Sequence, residues 1–66
     1  MSDDADKRTA AMQRAAEYRE RAAQYEKLSE EARQRGDAQM SIEFARKAAE
    51  ELTEASRIED SIASPR

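Results

Sequence analysis

A single glycine, Gly36, interrupts a chain that otherwise consists almost entirely of helix-forming residues. Residues 3–35 and 37–64 contain neither Gly nor Pro, so the sequence offers one place for the backbone to turn. Gly adopts the left-handed conformation that ends a helix, and the Asp37 that follows can cap the next one. We predict an all-α domain with a helix over about residues 3–35, a turn at 36–37, a helix over about 38–62 and a short tail over 63–66.

Each predicted helix carries an apolar face. On helix 1, small and apolar residues recur at alternating steps of four and three, the spacing of a coiled coil: Ala11, Ala15, Tyr18, Ala22, Tyr25, Ser29 and Ala32. The face of helix 2 is broader: Ala38, Ile42, Ala45, Ala49 and Leu52, continuing to Phe44, Ala48, Ala55 and Ile62. Because a two-residue turn makes the helices antiparallel neighbours, we predict an antiparallel two-helix hairpin rather than one rod.

Folding the chain at the turn brings together positions whose numbers sum to about 73. In this register the large side chains meet alanines of the opposite helix, as in close-packed layers. Leu28, for example, is predicted to meet Ala45. The residues predicted to pack the hairpin are Tyr18, Tyr25, Leu28, Ala45, Ala48 and Leu52.

The composition leaves a hairpin of this size short of buried apolar area. Apolar residues are 38% of the chain, but 14 of them are Ala. A domain of about 60 residues buries only about 60% of the surface that its unfolded chain exposes. We therefore predict a homodimer that forms a four-helix bundle. The alternative is that the outer apolar residues merely cover the ends of one hairpin. The predicted interface residues are Met12, Met40, Phe44, Ile58 and Ile62.

A repeat-like spacing covers residues 25–53. It reads Tyr25-x2-Leu28-Ser29-x2-Ala32, then Gly36-Asp37, then Ser41-x3-Ala45-x2-Ala48. This run resembles one tetratricopeptide repeat. Ser29 stands where the family has Gly, Ala32 where it has Tyr, Ala45 where it has an aromatic residue and Thr53 where it has Pro. The resemblance implies a packed antiparallel hairpin; the peptide-binding groove of stacked repeats does not carry over to one repeat.

The residue types exclude several kinds of chemistry. The chain has no Cys and no His, so it has no thiol nucleophile, imidazole base or Cys/His metal site. The carboxylates of Glu26 and Glu30, and of Glu50 and Glu54, have the i,i+4 spacing that can hold a divalent cation, but solvated helix faces often carry Glu at this spacing. We predict no catalytic residue, metal or cofactor, and hence no enzyme.

The charges are divided between the helices. Residues 7–35 carry eight basic and five acidic side chains, whereas residues 37–60 carry three basic and seven acidic ones. A basic helix beside an acidic one favours their pairing. The alternative is an anion-binding surface on helix 1 that grips a nucleic-acid backbone. Its residues would be Arg8, Arg14, Arg19, Arg21, Arg33 and Arg35.

These patterns predict a non-enzymatic protein–protein interaction module, a small self-associating regulator or adaptor with an unidentified protein partner. One alternative is an RNA-binding hairpin dimer that uses the basic face of helix 1. Another is an acidic inhibitor or nucleic-acid mimic that uses Glu43, Glu50 and Glu54 of helix 2. No apolar run reaches the roughly 18 residues of a membrane span, and the first residues lack the basic charge of a signal peptide. We therefore expect no membrane contact and a cytoplasmic location.

Overall fold

The chain folds into two helices that pack side by side. The computed structural model describes residues 3–63, with side chains from Ala5 onward; the predicted tail beyond Ala63 lies outside these residues. Helix α1 spans Asp3–Gln34 and α2 spans Ala38–Ala63. Their bounds differ by one residue from the predicted ends. The described residues form an elongated body of 53 × 17 × 10 Å. The prediction of an all-α chain with two packed helices is confirmed.

Hydrogen bonds in the turn satisfy backbone groups at the end of α1 and at the start of α2. Gly36 has a φ of +84°, which L side chains rarely adopt. The N–H of Gly36 donates to the carbonyl of Arg33 at 3.0 Å, and that of Asp37 to the carbonyl of Ala32 at 2.8 Å, which is the Schellman pattern. Asp37 then caps α2, because its Oδ1 accepts a hydrogen bond from the N–H of Met40 at 3.1 Å. The chain therefore reverses direction within three residues.

The side of α1 that faces α2 is the stripe that its spacing predicts. From Ala5 to Gln34, the residues that are not exposed are Ala11, Ala15, Tyr18, Ala22, Tyr25, Ser29 and Ala32. The other positions are mostly Glu, Arg, Gln and Lys, which leave their charged or polar ends in water. The apolar stripe of α1 is thus narrow, and all of it packs against α2.

Helix α2 carries two neighbouring apolar stripes, and α1 covers one of them. The packed stripe, whose residues are all half-buried or buried, consists of Phe44, Ala48, Ala55, Ile58 and Ile62. The open stripe lies beside it and consists of Ala38, Ile42, Ala45, Ala49 and Leu52. Leu52 is half-buried, the other four are exposed, and Ile42 has 60% of its surface exposed. Both stripes have the three- and four-residue steps of one helix face.

The most buried residues of the hairpin are alanines. Five of them are at most 2% exposed: Ala15, Ala22 and Ala32 on α1, and Ala48 and Ala55 on α2. Among the side chains that the structure describes, no large one is fully buried. Because an alanine side chain ends at Cβ, such a contact brings two helices close together and leaves no room for a ring between them. The larger side chains therefore lie along the edges of the contact, which differs from the predicted register.

Candidate interaction surface

The contact between α1 and α2 has two edges with different chemistry. On the first edge, here called the aromatic side, the ring of Tyr25 stacks on Phe44 with centroids 6.2 Å apart and planes at 26°. The guanidinium of Arg21 lies 4.8 Å from the centroid of the Tyr18 ring. The same group donates from Nε to Oε1 of Glu51 at 3.1 Å. The large side chains on this side thus cover one another.

The hairpin itself half-buries four of the five residues predicted for a dimer interface. These four are Met40, Phe44, Ile58 and Ile62, three of which belong to the packed stripe. Only Met12 is well exposed, at 58%. The reason is that α1 packs against the side of α2 that carries Phe44. These side chains are therefore covered within one hairpin and need no second chain.

Of the residues predicted to pack the hairpin, Leu28 and Ala45 lie apart from the contact. Leu28 is 39% exposed, and Ala45 is exposed in the open stripe. Leu28 follows Arg21 by seven residues and so lies towards the aromatic side, whereas Ala45 lines the opposite edge. The structure thus places these two residues towards opposite edges of the contact. The other four predicted packing residues are buried or half-buried: Tyr18, Tyr25, Ala48 and Leu52.

The second edge, here called the groove side, is a shallow groove of about 460 Å³. Its α2 wall consists of the open stripe from Ile42 onward, with Ala48 and Ser41 deeper in the groove. Its α1 wall carries Glu26, Ser29, Glu30 and Arg33. Because alanines on the α2 wall do not fill the space beside α1, the groove stays open and its apolar wall stays in contact with solvent.

Polar contacts close the groove near the turn. The hydroxyl of Ser29 donates to the carbonyl of Ser41 at 2.7 Å and lies 3.1 Å from the Ser41 hydroxyl. On the rim, Arg33 donates to Glu30. Over residues 5–63, no buried side-chain nitrogen or oxygen lacks a hydrogen-bond partner. The buried polar groups in this stretch are therefore satisfied within the hairpin, and what the groove offers a partner is its apolar wall.

Ion pairs join the basic helix to the acidic one. Arg19 donates from Nε and Nη2 to the two carboxylate oxygens of Glu59, at 2.8 and 2.5 Å, in bidentate geometry. Hydrogen bonding from Arg19 lowers the pKa of the Glu59 carboxyl, and hydrogen bonding to Glu59 raises the pKa of Arg19. Hydrogen bonding to Glu51 likewise raises the pKa of Arg21. Both pairs are consistent with charge as a determinant of how the two helices pair.

The arginines predicted as an anion-binding surface point to different sides of the hairpin. Arg19 and Arg21 are two residues apart, so their side chains leave the helix about 200° apart. Arg19 precedes Glu26 by seven residues and lies on the groove side, whereas Arg21 lies on the aromatic side. Arg33 pairs with Glu30 within α1. The remaining three are exposed: Arg8, Arg14 and Arg35.

The two predicted carboxylate pairs stay on the surface. Glu26 and Glu30 line the α1 wall of the groove. On α2, Glu50 is exposed and Glu54 lies 3.6 Å from Arg57. In the part of the chain that the structure describes, no group of three or more acidic side chains is placed to hold a metal ion.

The fold and this surface define a two-helix hairpin with one apolar stripe left uncovered. No family model, no curated protein and no solved structure matches the chain. Over residues 3–63, neither helix has an apolar stretch long enough to cross a membrane. The residue pattern places Ile42 and Ala49 on the apolar face of helix 2 and does not predict them as interface residues. The available signal was the width of the apolar face of α2, which exceeds what the narrow stripe of α1 can cover.

Proposed function

We propose that this chain is a non-enzymatic interaction module, a helical hairpin that associates with itself and acts as a small regulator or adaptor by binding a protein partner. The observation that carries the proposal is the open stripe. Its central large residue, Ile42, is 60% exposed on the wall of a groove. A contiguous apolar strip rimmed by charged side chains is typical of a protein–protein contact.

The energetics of a single hairpin also support association. Its fully buried side chains are alanines, each of which removes only a small apolar area from water. Ordering a residue costs roughly 1.5 kcal/mol, which small domains offset with disulfides, metals or oligomerisation. The chain has no Cys and no His, so oligomerisation is the route that its residues favour. Association then adds to the stability of the fold by mass action.

The two alternative functions have less support from the same geometry. A nucleic-acid interface on α1 needs its arginines on one face, yet Arg19 and Arg21 lie on opposite sides and each bonds a carboxylate of α2. An acidic mimic would use Glu43, Glu50 and Glu54, but Glu54 lies 3.6 Å from Arg57, and two further carboxylates of α2, Glu51 and Glu59, pair with arginines of α1. The net charge of −3 also favours a protein partner over nucleic acid.

The likeness of residues 25–53 to one tetratricopeptide repeat belongs to the same proposal. The likeness is supported by the small residues where the helices approach each other. Ala32 and Ala48 are buried there, and Ser29 lies beside them. The proposal takes from this likeness only the hairpin as a packing unit.

Sedimentation equilibrium of the full chain at micromolar concentration tests self-association. We expect a helical species with twice the 7.5 kDa mass of one chain, and dissociation on dilution. A folded species that keeps the mass of one chain at all concentrations would contradict the self-association on which the proposal depends. Circular dichroism on the same samples reports whether the species is folded.

A further inference from the structure

We infer that the occupant of the open stripe is the open stripe of a second copy, packed antiparallel about a two-fold axis, with the two turns at opposite ends of a four-helix bundle. This inference rests on the proposed self-association and adds to it the face, the orientation and the partner. Its support comes from the order of residues along the stripe and from the contacts that the two possible orientations would make.

The open stripe has nearly the same pattern of sizes in both directions. From Ala38 it steps by four, three, four and three residues to Leu52, and a further step of four reaches Ser56. The sizes run small, large, small, small, large, small, with the centre between Ala45 and Ala49. A two-fold axis at this centre places each Ile42 against Leu52 of the second copy. It also places Ala45 against Ala49, so that the helices approach closely there.

The polar residues beside the stripe are mixed in the same arrangement. On the solvent side of α2, the flanking positions are Gln39, Arg46, Thr53 and Asp60. An antiparallel pairing about the same centre brings Gln39 towards Thr53 of the second copy, and the two Arg46 side chains towards each other. Because Arg46 is exposed, water and salt screen this one like-charge contact.

The charges of α1 act in both directions in this arrangement. Arg21 bonds Glu51, so the centre of the open stripe lies level with about residue 25 of α1. On the groove side, Arg19 then lies about six residues before this level and Glu30 about five after it, so an antiparallel second copy brings Arg19 of one chain towards Glu30 of the other. It also brings the two Glu26 side chains towards each other, which opposes that attraction.

The opposite orientation, with both turns at one end, is disfavoured by the same residues. It lays α2 of one copy across α1 of the other, so Ile42 would lie against Glu30 instead of an apolar side chain. Burial of a carboxylate against an apolar side chain is costly. The antiparallel arrangement avoids this contact and keeps apolar residues together.

The overlap of two hairpins in this arrangement is enough for a small specific interface. The centre lies about ten residues, or about 15 Å, from each turn, so the two copies overlap over about 30 Å of their 53 × 17 Å faces. This overlap corresponds to about 500 Å² per partner, against about 800 Å² for a standard protein–protein interface. A second copy therefore covers the part of the face that carries the open stripe.

The first test replaces exposed apolar residues one at a time by Gln and measures the dimer dissociation constant by sedimentation. Ile42→Gln removes two buried side chains per dimer and should raise that constant at least about a hundredfold. Met12→Gln is the matched control, because Met12 is 58% exposed against 60% for Ile42. It lies about 20 Å from the level of the dimer centre, beyond the turn of the second copy, and should leave the constant unchanged. Leu28→Gln, on the aromatic side, should also leave it unchanged.

The second test reads the orientation and leaves the open stripe intact. Because the chain has no Cys, Arg35→Cys and Lys47→Cys can each carry one spin label. In the antiparallel dimer the labels at position 35 should be about 36 Å apart, since each lies twelve residues from the centre at 1.5 Å per residue. The labels at position 47 should be about 20 Å apart or less. Short distances at both positions would overturn the antiparallel arrangement.

The outcomes separate the inference from the proposed function. A chain that stays monomeric contradicts the self-association itself. A dimer that Leu28→Gln dissociates and Ile42→Gln does not shows that the aromatic side is the interface, which overturns the inference and leaves self-association standing. Loss of the dimer in Ile42→Gln alone, with long distances at position 35 and short ones at position 47, supports the inference in full.

Discussion

The two apolar stripes of α2 have the same helical spacing, but α1 covers only one of them. The packed stripe contains Phe44, Ile58 and Ile62, and all its residues are at least half-buried by α1. In the open stripe, Ile42 and three alanines are exposed, and its only half-buried residue is Leu52. Because α1 offers one narrow stripe of alanines and tyrosines, it covers the side of α2 with more large side chains. Burial in this chain therefore follows side-chain size as well as periodicity.

The largest expected effect comes from overfilling the packed stripe. Ala55 is fully buried, so Ala55→Leu forces the helices apart and should lower the free energy of unfolding by about 1–3 kcal/mol. Ala10→Leu, at an exposed position of α1, is the matched control and should change it by less than about 0.5 kcal/mol. Urea unfolding at one fixed protein concentration, followed by circular dichroism, measures both. Equal effects of the two variants would mean that alanine contacts do not determine how the helices pack.

A smaller effect is expected at the ion pair on the groove side, where the Arg19 hydrogen bond lowers the pKa of Glu59. A carboxyl with a lowered pKa in the folded state stabilises the fold fully above its ordinary value of 4.5. This stabilisation is lost as the pH falls from that value through the lower pKa that Glu59 has in the folded state. Glu59→Gln should therefore destabilise the fold at neutral pH and flatten its loss of stability in that acidic range.

The control for this pH dependence is Glu20→Gln, at an exposed position of α1. Thermal unfolding between pH 2 and 7 compares the two variants with the unchanged chain, over a range set by ordinary carboxyl pKa values. We expect Glu20→Gln to follow the unchanged chain. If Glu59→Gln follows it too, the Arg19 pair contributes nothing to stability. The effect is the smaller one because both side chains are exposed to solvent and salt screens them.

Much of the fold could be predicted from local chemistry. The Gly36 and Asp37 pair supplies both the end of α1 and the cap of α2, and both functions depend on neighbouring residues alone. The contact face of α1 could also be predicted, because charged residues occupy nearly every other position and leave one choice. For such elements, spacing and residue type are sufficient.

The contact face of α2 could not be predicted in the same way. Its apolar residues extend over both stripes, so spacing alone does not decide which one α1 covers. The choice depends on how close the helices approach, which is set by five alanines on the two helices together. That close approach puts Tyr25 beside Phe44 at an edge of the contact. Ile42 belongs to the same broad apolar face, so its spacing alone does not assign it to a separate surface.

If a second chain covers the open stripe, a single thiol placed in the stripe loses reactivity when the dimer forms. Ala49→Cys places a thiol at the exposed centre of the open stripe, and Ala10→Cys places one at an exposed position of α1 away from it. A thiol buried in the dimer reacts only through the dissociated fraction. We predict that alkylation of Ala49→Cys slows at least about tenfold as the protein concentration rises through the dimer dissociation constant, while Ala10→Cys keeps its rate. Equal rates for the two thiols at every concentration would contradict the claim.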